Sequence, residues 1–256
     1  MSADIAVVVA DHVMEITFTR PTKKNALSNA MYGVWADALE QAEADPAIRA
    51  VLHTGEGDAF TAGNDLQDFM QIASGTASGP RHVGRVLQNL ARAQKPLIAA
   101  VNGLAVGVGT TMLLHCDLVY ITASAKLTTP FVGLGLVPEA ASSLLLPQAL
   151  GAKRAYAMFA LGEAITGAEA VTFGLANRAF DTAAEARDAA RAAAQALVNR
   201  PPQALAHTKA LMRDGEALGA LMLKEGALFE QQLRSEEARE AFTAFMERRP
   251  APYAPG

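Results

Sequence analysis

Residues 97–111, LIAAVNGLAVGVGTT, pass from an uninterrupted apolar run into a glycine-rich loop and then a segment of helical character. An apolar run of that length, closed by a turn, reads as a fully buried strand, and buried strands belong to sheets covered on both faces. A second segment, FTAGNDL at 60–66, repeats the small residues after an apolar stretch. A helix that begins directly after such a loop points unpartnered backbone N–H groups at its N-terminus. Two such loops facing one another can hold an oxyanion, which takes backbone donors and little side-chain bulk. Glycine turns between strands and helices are also common, so a structural connection accounts for either loop taken singly.

Around this centre the pattern predicts strands at 5–9 and 13–19 across a turn at Asp11-His12. A loop at 21–25 leads to a helix over 30–43 with Ser28 as its cap. A short strand at 50–54 precedes the turn-rich GEGDAFTAGNDL, and 71–80 (QIASGTASGP) reads as a mobile loop. Helices are predicted over 81–93, around 109–114, from Pro138 onward, and at 151–161 and 167–174, with a strand at 118–122. Beyond Ala183 the chain is rich in Ala, Glu, Arg and Leu and reads as helix almost throughout. Strands interleaved with helices, then a helical tail, make an α/β core over 1–195 and a C-terminal helical region over 196–256.

Composition narrows the class. With 256 residues, 51% hydrophobic and 19% charged, the chain can bury a sizeable core. A formal net charge of −4, with scattered basic residues, leaves no footprint for nucleic acid. The single cysteine, Cys116, cannot build an intramolecular disulfide framework and fits a reducing compartment. No basic flank with a long apolar core opens the chain, no apolar run reaches membrane-spanning length, and APYAPG is no targeting address. The expectation is a soluble cytoplasmic protein with no membrane partner.

Familiar catalytic motifs fail. GLAVGVG does not complete G-x-G-x-x-G, and no Walker loop, H-E-x-x-H helix or G-x-S-x-G elbow occurs. The five histidines show no metal-ligand spacing; His115 reads as a locally satisfied helix residue and Cys116 as a buried inert thiol.

FTAGNDL resembles the F-[SC]-[AS]-G-x-D-[LI] signature of the crotonase (enoyl-CoA hydratase/isomerase) family. Residues 95–151 are similar to that family's central block, RPTKKNAL at 20–27 to its first CoA-contacting loop, and LGEAITGAEAVTFGLANRAF at 161–180 to a later structural block. FEQQLRSEEAREAFTAFMERR resembles its last helices, so five blocks match in order over residues 13–250. The resemblance implies a spiral of ββα units carrying the CoA-thioester site, and a C-terminal helical region for trimerisation and CoA contacts. It implies a homotrimer or dimer of trimers, an acyl-CoA thioester substrate, and no cofactor beyond the CoA of the substrate. Carried over by position, the oxyanion donors are the amides of Asn64 and Val108. Ala62, Leu66 and Gly107 belong to the same binding surface, and Lys23 or Lys24 meets a CoA phosphate. Phe229 matches an aromatic position near the adenine side of the CoA site, and Arg248 matches a basic position that contacts CoA from a neighbouring subunit. For each lysine and arginine a solvated surface charge is the competing reading.

Hydratases of this family use two glutamates, and the corresponding places here hold Thr111 and Phe131, read as pocket lining. Neither is a general base at neutral pH. TPF at 129–131 with PEAASS at 138–143 looks like the peroxisomal-type Δ3,Δ2-enoyl-CoA isomerase branch, whose sole acid/base falls on Glu139. Apolar sequence neighbours would raise the pKa of that carboxyl if they surround it in space. A glutamate after a proline in a first helical turn also suits the helix dipole alone. Asp65 and Asp117 read as loop-capping carboxylates. The rivals are a hydratase, another enolate-forming reaction such as decarboxylation or dehalogenation, and a catalytically silent acyl-CoA binder.

Overall fold

The computed structural model describes residues 4–73, 76, 79–250 and 253. The chain opens with β1 (Ile5–Ala10) and β2 (Val13–Phe18). Asp11 and His12 both take positive φ, the two-residue turn that matches the twist of an antiparallel hairpin. α1 (Asn29–Ala44) follows, and Ser28 caps it by accepting the Met31 N–H at 3.3 Å.

Three strand pairs come next: β3 (Ala50–Gly55) with β4 (Ala59–Thr61), β5 (Leu97–Val101) with β6 (Leu104–Val106), and β7 (Leu118–Thr122) with β8 (Lys126–Thr128). The first strand of each pair enters a six-stranded sheet ordered β1-β2-β3-β5-β7-β10, and the second enters a four-stranded sheet ordered β4-β6-β8-β9. Within each sheet the members of successive pairs are parallel neighbours. The chain therefore climbs as a spiral, each turn turning a corner between the sheets and then adding a helix. The corners are tight: a Cβ on Gly103 would lie 2.1 Å from the Asp58 carbonyl of the turn below.

The helices between turns are α2 (Leu66–Ala73), α3 (Val83–Arg92), the short α4 (Val108–Thr111), α5 (Ser142–Leu150) and α6 (Ala152–Leu161). β9 (Ile165–Thr166), α7 (Gly167–Thr172) and β10 (Arg178–Phe180) complete the sheets, and α8 (Ala183–Val198) returns across the large one. Side chains of the central strands alternate between two cores. Ala50, Leu52, Ile98 and Ala100 pack against Ala190 and Ala194 of α8, while Val51, Leu97, Ala99 and Val101 join α1 in the main core. α9 (Pro202–Met212), α10 (Gly215–Leu233) and α11 (Glu236–Met246) follow. α10 lies on α3, where a Cβ on Gly219 would come within 2.8 Å of Gln88 Oε1. Among the described residues no helix is long and apolar enough to cross a membrane.

Two sequence expectations change. The helix expected from Pro138 begins at Ser142, because Ala140 and Ala141 both adopt left-handed backbone (φ 60° and 55°). The buried Glu225 carboxylate of α10 accepts the Ala141 N–H at 2.6 Å and the Ser143 N–H at 3.1 Å. It caps α5 from another element, and Glu139 is left on a turn rather than in a helix. The mobile loop expected at 71–80 begins inside α2, and its residues 74, 75, 77 and 78 lie outside the described residues.

Candidate active site

A cavity of about 590 Å³ opens between the spiral and the C-terminal helices. Asn29 and Tyr32 of α1 form one wall, with Asn64 from the loop after β4 and Glu139 from the turn before α5. Phe69 of α2, Val83, Gly84 and Leu87 of α3, and Met222, Gly226 and Phe229 of α10 line the cavity as well.

Glu139 is 7% exposed, and its Oε1 accepts a hydrogen bond from Thr111 Oγ1 at 2.7 Å. Among the described residues Oε2 has no hydrogen-bond partner, and no cation is paired with the group. Burial pushes its pKa up to about 7; the Thr111 bond pulls the other way, and the nearby Glu225 charge adds to the rise. A carboxyl poised near neutrality, with one oxygen anchored and one free, is suited to take and return a proton. Asp68 and Glu230 also line the wall. Asp68 accepts the Asn29 N–H at 2.6 Å, and Glu230 pairs with Arg234 and Arg81.

The loops after β4 and β6 are neighbours because Thr61 pairs with Ala105, so Asn64 and Val108 each stand three residues beyond a matched pair. At the first loop the bridge to Leu27 uses Gly63 O and the Asp65 N–H and skips the Asn64 N–H. At the second, Gly107 donates to Thr128 O, and Val108, first residue of α4, has no preceding turn to donate to. Gly63, at φ 82°, lets the loops touch: a Cβ there would sit 2.7 Å from Val106 O. Adjacent loops thus present two N–H groups that have no backbone acceptor among the described residues.

Of the residues singled out from sequence, Glu139, Asn64 and Phe229 line the cavity, and Thr111 reaches it through Glu139. Val108 is buried; Ala62 on the loop and Leu66, the first residue of α2, are half-buried. Phe131, expected to line the pocket, lies a layer behind, its ring 6.4 Å from Phe229 and 6.0 Å from Phe159. The 3-10 turn after it carries the chain back to α11, which leaves Phe131 in the core rather than at the surface of the cavity. Lys23 is exposed, Lys24 is ion-paired with Asp58, and Arg248 is exposed beyond α11; none of the three is among the residues that line the cavity.

Asp65 accepts from Arg20 at 2.7 Å, and Asp117 accepts from the Leu97 N–H and Lys209. His115 lies against Ala140 O at 2.8 Å, and burial lowers its pKa to about 4. Burial pushes the Cys116 thiol up to about 12. Among the described residues no three His, Cys, Asp or Glu side chains gather as metal ligands.

Sequence reasoning missed Tyr32, whose hydroxyl donates to Asn64 Oδ1 at 2.6 Å, and the buried Glu225. An aromatic one turn into an amphipathic helix reads as core. An acid in a long helical tail reads as surface. Asp68 also went unseen, in the short stretch between the turn-rich segment ending at Leu66 and the loop expected from 71.

Residues 9–255 match the family model for enoyl-CoA hydratase/isomerase. Enoyl-CoA delta isomerase 2 of Rattus norvegicus is 34% identical over 97% of this chain, which spans 65% of that protein. The 1,2-epoxyphenylacetyl-CoA isomerase of Escherichia coli is 33% identical over 93% of both chains. Among solved structures, Pseudomonas aeruginosa OdaA superposes with a TM-score of 0.91 at 44% identity, over 96% of this chain and all of that one. An enoyl-CoA hydratase/isomerase from Pseudoalteromonas atlantica gives 0.89 at 41% identity, over 98% of this chain and 100% of that one. A model matched over nearly the whole length and a shared spiral agree: this chain belongs to the enoyl-CoA hydratase/isomerase, or crotonase, family of enzymes.

Proposed function

We propose that the protein is a Δ3,Δ2-enoyl-CoA isomerase with Glu139 as its acid and base. The observation that carries this reading is the Glu139 carboxyl itself, buried in the cavity wall with one oxygen free and a pKa near 7. Its Oε2 would remove a proton from C2 of a 3-enoyl thioester, breaking that C–H bond. The electron pair delocalises through C2, C1 and the thioester oxygen. The Asn64 and Val108 N–H groups would hold that oxygen, a contribution of about 3–4 kcal/mol per donor in comparable sites. The protonated Glu139 then forms the new C–H bond at C4, and the double bond has moved from C3–C4 to C2–C3. No water is consumed, so the absence of carboxylates at 111 and 131 is no obstacle.

Glu139→Gln and wild type, each given a 3-enoyl-CoA and separately a 2-enoyl-CoA, test the reading. Wild type should convert the 3-enoyl ester, and the variant should be slower by about 10²-fold or more. Efficient hydration of the 2-enoyl ester by wild type would instead favour the hydratase, with Asp68 the first carboxylate to examine. Binding of both esters without turnover would favour a silent acyl-CoA binder.

Lys23, Lys24 and Arg248 are the residues we assign to CoA phosphates, with Phe229 toward the nucleotide and Ala62, Leu66 and Gly107 beside the thioester. The proposed chemistry uses no group beyond the chain and the CoA ester. A homotrimer or dimer of trimers accords with Leu211, Met212, Leu223, Phe245 and Met246, each more than half exposed. A cytoplasmic setting accords with the free thiol of Cys116.

A further inference from the structure

Tyr32 is 3% exposed, yet its hydroxyl reaches the cavity wall and donates to Asn64 Oδ1 at 2.6 Å. Its ring is held from behind. It stacks on Trp35 with centroids 6.0 Å apart and planes 18° from parallel, and Trp35 Nε1 donates to the buried His53 Nε2 at 3.0 Å. Phenylalanine would fill the same ring volume without a polar atom to satisfy, so packing alone does not account for the hydroxyl. Burial, and then the nearby Glu139 charge, raise the Tyr32 pKa well above its ordinary value. The phenol therefore stays a neutral donor throughout the range in which Glu139 titrates.

Asn64 is fixed through its chain neighbours and through its side-chain oxygen. Its neighbours are tied to Leu27 through Gly63 O at 2.8 Å and the Asp65 N–H at 2.9 Å, and Arg20 holds the Asp65 carboxylate. Its side chain is tied to Tyr32. Among the described residues the Asn64 backbone N–H has no backbone acceptor. A side chain anchored at Oδ1 resists rotation of its own residue, and a donor that does not reorient during reaction stabilises developing charge best.

We infer that Tyr32 is a positioning residue: through the Asn64 carboxamide it fixes the direction of the Asn64 N–H toward the thioester oxygen. This rests on the proposed use of that N–H as an oxyanion donor, but not on which reaction the enolate enters.

The probe is 2,4-hexadienoyl-CoA, whose conjugated thioester absorbs apart from adenine and shifts to the red when its carbonyl is polarised. Wild type should produce the shift. Tyr32→Phe should bind the ester within about twofold and melt at the wild-type temperature. It should lose half or more of the shift and lower kcat on a 3-enoyl-CoA by about 10-fold or more, with KM unchanged. Asn64→Ala should lose a comparable part of the shift, and the double variant little more than either single one, as expected of groups acting through one contact. A full red shift in Tyr32→Phe overturns the inference, as does a loss explained by weaker binding or a lower melting temperature. A red shift in wild type without isomerisation leaves the inference standing and removes the isomerase reading. No shift in wild type removes the Asn64 donor and this inference with it.

Discussion

Thr111 and Glu139, 28 residues apart, meet at 2.7 Å in the buried wall of the cavity, hydroxyl to carboxylate. The contact anchors one carboxylate oxygen of a residue that lines the cavity, and among the described residues the other oxygen has no hydrogen-bond partner. It also holds the pKa of Glu139 below the value that burial alone would impose.

Thr111→Val removes that donor at nearly constant volume. The ionised form of Glu139 loses a hydrogen bond worth about 1.5–3 kcal/mol, equivalent to roughly one to two pH units. The midpoint of kcat/KM against pH, expected near 7 in wild type, should move upward by that amount. An unmoved midpoint would mean the hydroxyl does not touch the acting carboxylate.

Glu139 should also make the fold less stable as pH rises. Its folded pKa, about 7, lies above the ordinary 4.5, so its contribution is fully present below about 4.5 and is lost as pH climbs through 7. Glu139→Gln removes this loss while keeping an acceptor for Thr111. In urea unfolding at pH 8 the variant should gain up to ~3 kcal/mol, and the gain should vanish near pH 4. Parallel stability curves across that window would argue that Glu139 is not desolvated.

Glu225 satisfies two backbone N–H groups of the turn that carries Glu139. Glu225→Ala leaves both donors buried and unpartnered, at a cost of about 2 kcal/mol or more. For a chain of this size that lowers Tm by roughly 4–8 °C. Losing the Glu225 charge should also shift the pH midpoint downward, since that charge raises the Glu139 pKa. Calorimetry and a pH profile on one preparation separate the two effects.

Gly226 lies inside α10 and lines the cavity, and a Cβ there would meet nothing within 4 Å. Gly219 of the same helix is explained by its close approach to α3; Gly226 is not. Gly84 across the groove is equally open. Gly226→Leu should stabilise the helix by up to about 1 kcal/mol and discriminate against long acyl chains. Affinities for saturated C4 and C12 acyl-CoA esters, with sedimentation to follow assembly, are the readout. Equal loss for both chains, or altered assembly, would place the glycine at a subunit contact instead.

Local patterns were enough for much of the architecture. The turn at Asp11-His12, the Ser28 cap and the apolar runs at 50–54, 97–101 and 118–122 each carry their signal within a few residues, and they stand in the structure. The order of the motif blocks pointed to the family and to Glu139. Strands β4, β6 and β8 were illegible because three residues hold too little periodicity. They exist through pairing with strands about twenty to forty-five residues away. The start of α5 was misread because the residue that reshapes it, Glu225, lies more than eighty positions further on. Tyr32 and Asn64 are unremarkable apart and become a pair only when α1 and the β4 loop pack together. Short-range chemistry writes turns, caps and buried strands into consecutive residues. The electrostatics of Glu139 depend on which distant groups fold around it, and that is settled by packing.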